Sequence, residues 1–262
     1  MAASSYPLDL GFKSGESGTH TSRTLMLEEL SGVLGFIAIG ATKAEITHAV
    51  VEDNLLNKST VSTRRATAQR LSELYALDTS VPLFRALQRL WSIDREAQPL
   101  LALLCALARD PLLRATSPAI LALREGQSFD RNSVTAALKT YAGDRLNDSI
   151  LDKVVRNSAA SWTQSGHLLG RTFKARQRVK ATPPAAAFAL FLGYLQGLRS
   201  SGLFHTLWCQ VLDSSPEALA GLASRASMSG LLRFRQSGDV IEISFPDLLT
   251  QAEIERATHG QD

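Results

Sequence analysis

Cysteine is nearly absent from this chain: two thiols, Cys105 and Cys209, occur in 262 residues. Each sits in apolar sequence, "LLALLCALA" and "FHTLWCQVL". That excludes a disulfide framework, suggests two small buried hydrophobes and suits a reducing cytoplasm. Aromatic residues are also few, at 6%, and β-branched runs are scarce beside abundant Ala and Leu. Extensive sheet is therefore not expected, and a mainly α chain is. Catalytic signatures are missing too. There is no Gly-x-x-x-x-Gly-Lys-Ser/Thr loop, no Gly-x-Gly-x-x-Gly turn and no Gly-x-Ser-x-Gly elbow. His20, His48, His167, His205 and His259 are dispersed without metal-ligand spacing. The expectation is a protein with no catalytic residues, no metal, no cofactor and no small-molecule substrate.

Long hydrophobic runs are lacking as well. The longest uncharged one, residues 181–198, "ATPPAAAFALFLGYLQGL", holds two prolines, two glycines and a glutamine. It predicts a buried core helix rather than a membrane span. The first 23 residues carry no apolar signal segment and are expected to form a flexible polar leader.

One absence is local. Between residues 153 and 212 there is no Asp or Glu, while Lys153, Arg156, Arg171, Lys174, Arg176, Arg178, Lys180 and Arg199 fall there. This stretch is net +8 in a chain of net +3, so the remainder is net −5. Five of those cations crowd into "GRTFKARQRVK", and segregation of this kind is a statement about partners. Phosphate polymers come first and anionic headgroups second.

What is present is a series of helix signals. Residues 24–39 predict a first helix. Thr42 with Glu45 forms a capping box for a helix from Lys43 to about Asp53, and Ser59 or Thr60 caps a longer one ending near Tyr75. Joined by a polar turn, these two predict a helix-turn-helix whose second member carries Arg64, Arg65 and Arg70, with Lys58 just before it. Residues 82–123 predict apolar helices, two of them opened by a cap residue and proline. "REGQSFDRNS" is expected to be a loop at a domain junction. Further helices are expected near 133–141 and over 148–164, ended by Gly166.

After Pro183-Pro184, three helices are followed by a change of period from 3.6 to 2 around Ser237-Gly238-Asp239. Three helices and a hairpin is the order of a winged helix, with Arg225 on the third helix and Arg233 and Arg235 on the first strand. A hairpin that merely caps a helical core is the equal alternative. His167 adjoins the basic run, but packing after the cap is favoured over phosphate contact. Trp91, Trp162 and Trp208 have the spacing of core anchors, and none is interleaved with the basic run; duplex is thereby favoured over single strands.

"ITHAVVEDNLLNKSTVSTRRATAQRL", "GHLLGRTFKARQRVKATPPAAAFALFLGYLQGLRSSGLFHTLWCQVLD" and "GLLRFRQSGDVIEISFP" resemble the BrxA family, the small A component of bacterial BREX phage-exclusion systems. The resemblance runs from about residue 25 to 249. It implies a cytoplasmic phage-defence protein, mainly helical, that binds DNA. Members have also been compared with the RNA-binding antitermination factor NusB. The family offers no short catalytic motif to carry over.

The combined expectation is a helical bundle with helix-turn-helix-like segments and a C-terminal winged-helix-like hairpin. It divides into a leader (1–23), an N-terminal domain (24–128), a C-terminal domain (129–249) and a tail (250–262). The expected partner is double-stranded DNA, held through phosphates with low sequence specificity, with other BREX components as further partners and no membrane. The candidate contacts are Arg171, Lys174, Arg176, Arg178 and Lys180, with Lys58, Arg64, Arg65, Arg225 and Arg233. A non-catalytic scaffold for larger defence proteins and a NusB-like RNA binder are the alternatives.

Overall fold

Apolar residues on every side of a helix demand that it be covered on every side, and two segments of this chain have that character. In the computed structural model, which describes residues 6–238 and 240–259, they are α5 (Gln98–Arg109) and α10 (Pro183–Leu195). All residues from Leu100 to Ala108 and from Pro184 to Leu195 are buried. The two helices pack on each other, and the rest of the chain wraps them.

The N-terminal part comprises α1 (Leu27–Phe36), α2 (Lys43–Val51), α3 (Val61–Tyr75) and α4 (Pro82–Trp91), with α5 at their centre. The first helix is shorter than expected. The second has the full capping box: the Thr42 hydroxyl accepts from Glu45 N at 3.3 Å, and the Glu45 carboxylate accepts from Thr42 N at 2.7 Å. Thr60 caps α3 through Thr63 N at 3.1 Å. Two single-turn-scale helices, α6 (Pro111–Ala115) and α7 (Ser117–Leu121), lead to α8 (Arg131–Ala142) and α9 (Asp148–Gln164). Asp110, Asp130 and Asn147 cap α6, α8 and α9 respectively.

A two-residue hairpin follows, β1 (Leu168–Leu169) with β2 (Ala175–Arg176). After α10 the expected second helix is instead a 3-10 stretch, Ser200–His205, and a four-residue helix α11 (Leu207–Gln210). Then come α12 (Pro216–Met228), capped by Ser215, and the antiparallel hairpin β3 (Arg233–Ser237) with β4 (Val240–Ser244). Asp239 of its predicted turn lies outside the described residues. The chain is thus mainly helical with two small antiparallel hairpins. Among the described residues, no helix is long and apolar enough to cross a membrane.

Three sets of contacts cross the expected boundaries. Leu10, Phe12 and His20, in the part of the leader that is described, are buried. Phe12 meets Trp208 of α11 with ring centroids 5.8 Å apart, which joins the start of the chain to its far half. The tail forms α13 (Gln251–His259), where Glu253 is paired with Arg85 of α4 at 2.6 Å. The junction loop itself pairs with β2: Gly126 N donates to Arg176 O, Arg176 N to Gln127 O, and Phe129 N to Lys174 O. One continuous hydrophobic cluster spans both expected domains. Each fully buried Leu or Phe in it contributes about 1.5–3 kcal/mol relative to exposure.

Candidate nucleic-acid interface

The basic segment folds as a hairpin because three local features agree. Gly170 has φ +116°, and a Cβ there would lie 2.0 Å from Phe173 O, so only glycine permits the tight five-residue connection. Lys174 Nζ closes that loop by donating to Gly170 O at 3.1 Å and to Thr163 Oγ1 at 2.9 Å. Arg176 then turns inward, as a strand residue next to outward Gln177 must.

Arg176 is the expected contact that lies deepest in the fold. Its side chain is 3% exposed and ion-paired with Asp213, the first residue after the acid-free stretch. Asp213 also accepts from Val179 N at 3.0 Å, and its backbone carbonyl accepts from Arg178 at 2.6 Å. A duplex cannot reach Arg176. Lys174, tied to the loop it closes, holds structure as well. Lys58 pairs with Glu29 at 3.0 Å, and Arg64 donates to Val51 O at 2.8 Å at the end of α2.

The remaining candidates point outward. Arg65, Arg171, Lys180, Arg225 and Arg233 are exposed, with no side-chain hydrogen bond or ion pair among the described residues. Arg178 is exposed while holding Asp213 O. Beside Arg171, Phe173 is 92% exposed and Leu169 66%, so the hairpin presents an uncovered aromatic between cations. Phe173 escaped sequence reasoning because a single phenylalanine in a polar run carries no periodicity.

The outward cations do not form one patch. Arg65 shares a cavity with Arg109, the last residue of α5, whereas Arg178 and Lys180 flank Pro99 near its start. Ten residues of helix separate these ends, about 15 Å.

His167 is buried, which agrees with the reading as local packing: Val211 O accepts from its ring at 2.7 Å, and Trp162 meets it edge-on at 4.9 Å. Burial is the largest influence and pushes its pKa down to about 4, against the raising effects of Val211 O and Asp213. It is neutral near pH 7. Both cysteines are buried, and burial raises their thiols to about 12 for Cys105 and about 11 for Cys209, so neither is a ready nucleophile.

A constellation invisible in the sequence joins His20, Asp110 and Ser161. Imidazole Nδ1 lies 2.8 Å from Asp110 Oδ2, and Nε2 lies 2.8 Å from Ser161 Oγ. The residue types match a Ser-His-Asp triad, but all three are sealed from solvent. Ser161 Oγ also accepts from Leu25 N and donates to Asn157 O, which leaves it no access to a substrate. Burial would raise the Asp110 carboxyl, but His20 and the backbone N–H groups of Leu113 and His20 hold it below its ordinary value. Asp110 approaches the chain so closely that a Cβ on Gly18 would lie 2.1 Å from its Oδ1. The cluster is a clasp that fastens residues 18–25 to α9 and to the α5–α6 corner.

Among the described residues, no group of three or more His, Cys, Asp or Glu side chains is gathered for a metal. No protein-family model matches the chain, and no curated protein matches it in sequence.

Proposed function

We propose that this protein binds duplex DNA through backbone phosphates with little sequence specificity, as a non-catalytic component of a BREX-type phage-defence system. The observation that carries the DNA reading is the β1–β2 hairpin: Arg171 and the 92%-exposed Phe173 at its tip, backed by Arg178 and Lys180. Cations recruit phosphates, and an uncovered aromatic finds an apolar partner in a base step or sugar edge. Nucleic acid offers both in one surface. The BREX assignment rests on the sequence resemblance to BrxA.

Two further features support contact at more than one place. Helix α3 exposes Ser62, Thr63, Arg65 and Gln69 from a capped N-terminal half, as the second member of a helix-turn-helix would. The β3–β4 hairpin follows α12 and packs on it, with Arg225, Arg233 and Arg235 exposed in the manner of a winged helix.

The test is fluorescence anisotropy with duplex DNA across a salt series. The wild type is compared with Arg171→Gln/Lys180→Gln/Arg65→Gln and with Phe173→Ala. The triple variant should lose roughly 0.9 of log–log slope per removed phosphate contact, about 3 in all. Phe173→Ala should weaken binding by about 1.5–3 kcal/mol, the burial of one apolar side chain against the duplex, with little change of slope. No duplex binding at low salt would overturn the reading in favour of a docking scaffold. Preference for duplex RNA would favour the NusB-like one.

A further inference from the structure

Between α2 and α3 lies a cavity of about 440 Å³ that the DNA reading does not need. Its walls are Lys43, Thr47 and Val51 from one face of α2, and Arg65, Ala68, Gln69 and Ser72 from one face of α3. Lys13 and Arg109 complete it. Such a volume falls within the range of small-molecule pockets, roughly 300–1,000 Å³.

Its charge is lopsided. Lys13, Lys43, Arg65 and Arg109 face a single carboxylate, Glu73, already held by Arg70 at 2.8 Å, by Thr19 at 3.1 Å and by Gln69 at 3.0 Å. The Arg109 guanidinium is spent on the carbonyls of Gly11, Ser72 and Glu73. Lys13, Lys43 and Arg65 have no hydrogen bond or ion pair from their side chains among the described residues. Lys13 is the telling one, because it is half-buried. A cation partly removed from water and left without a direct ion pair or hydrogen bond is costly. Burial, and then the charge of Arg109, hold its pKa below the ordinary lysine value, against the weaker opposing pull of Glu73 and Asp110. An anion in the cavity would relieve both effects.

We propose that this cavity binds a small phosphate-bearing ligand, of the charge and size class of a mononucleotide, through Lys13, Lys43 and Arg65. Three free cations match a di- or trianion, which favours phosphate over a single carboxylate. The volume exceeds what a bare phosphate fills, and Val51, Ala68 and the Thr47 methyl offer an apolar wall for an organic remainder. The site departs from the expectation of a protein without small-molecule ligands. It stands apart from the DNA reading, although Arg65 belongs to both. A ligand that engages Arg65 here withdraws it from a duplex lying along α3, so the two compete.

The experiment is titration calorimetry of the full chain with AMP, ATP and inorganic phosphate at low salt. AMP or ATP should bind more tightly than inorganic phosphate. Lys13→Met and Lys43→Gln should each weaken that binding about tenfold, the loss of one charged contact. Lys43 is exposed on α2, so Lys43→Gln serves where Lys13→Met disturbs folding, as judged by its thermal melt. Lys180→Gln, outside the cavity, should bind as the wild type does. Absence of binding by all three probes at millimolar concentration overturns the proposal, as does binding indifferent to both substitutions. Loss of duplex affinity in Lys43→Gln without binding of any small probe also overturns it, and assigns the cavity to a DNA backbone phosphate.

Discussion

Hairpin β1–β2 and helix α3 both carry cations on neighbouring positions, and each sends one inward and another outward. In the hairpin, Arg176 is buried while Arg178 and Arg171 face water. In the helix, Arg64 turns back onto the last carbonyls of α2 while Arg65 faces solvent. The anchoring chemistry differs. Arg64 is only part-buried and needs carbonyl oxygens alone, which the end of any helix leaves unsatisfied. Arg176 is enclosed and needs a full counter-charge, supplied by Asp213. A cation in a strand that turns inward commits the fold to a distant acid; one at a helix junction does not.

The largest effect expected from that difference follows removal of Asp213. Asp213→Ala strands a buried guanidinium and should cost about 3–5 kcal/mol in urea unfolding, whereas the paired replacement Arg176→Met/Asp213→Asn should recover most of it. Arg64→Met, by contrast, should cost about 1–2 kcal/mol, the loss of charge-assisted bonds at a partly wetted site. Equal losses at the two sites would erase the distinction.

His167, at the foot of the same hairpin, should make its anchoring depend on pH. Its folded-state pKa is lowered from 6.5 to about 4, so the unfolded chain takes up the proton first. The stabilisation is whole above about pH 6.5 and is lost as pH falls toward 4, by roughly 3 kcal/mol. Denaturant midpoints across that range should show the slope in the wild type, and a flatter one in His167→Gln.

A smaller effect tests the helical side. Thr60→Ala removes the cap of α3 and Thr42→Ala that of α2, each worth about 1 kcal/mol by denaturation. The smallest concerns the cations themselves. The double variant Arg176→Met/Asp213→Asn should keep the wild-type salt slope of DNA binding, while Arg171→Gln should lower it by roughly 0.9. A slope changed by the double variant would mean that Arg176 reaches phosphate after all.

Helices α2, α3, α9 and α12 were legible because their signals are short-range. Thr42, Thr60, Asn147 and Ser215 each act on an N–H three residues away. The first hairpin was not legible, since strands of two residues carry no alternation to detect. Nor was the leader: Leu10 and Phe12 show no period, yet both are buried, Phe12 against Trp208 of α11, and Gly11 between them approaches Leu83 of α4, none of which nearby sequence announces. Of the candidate contacts, composition could count the cations of 171–180 but not sort them: Lys174, Arg176, Arg178 and Lys180 are spaced by two, which a continuous strand would put on one face, and the strand ends at Arg176.

The amino-acid sequence by itself determined the helical character, the caps and the two central helices, since apolar density, propensity and capping are read within a few residues. Tertiary structure alone decided which charges remain free. His20 meets Asp110 across 90 positions and Ser161 across 141, and Arg176 meets Asp213 across 37. Charge interactions act through space and solvent exposure, and neither is ordered along the chain.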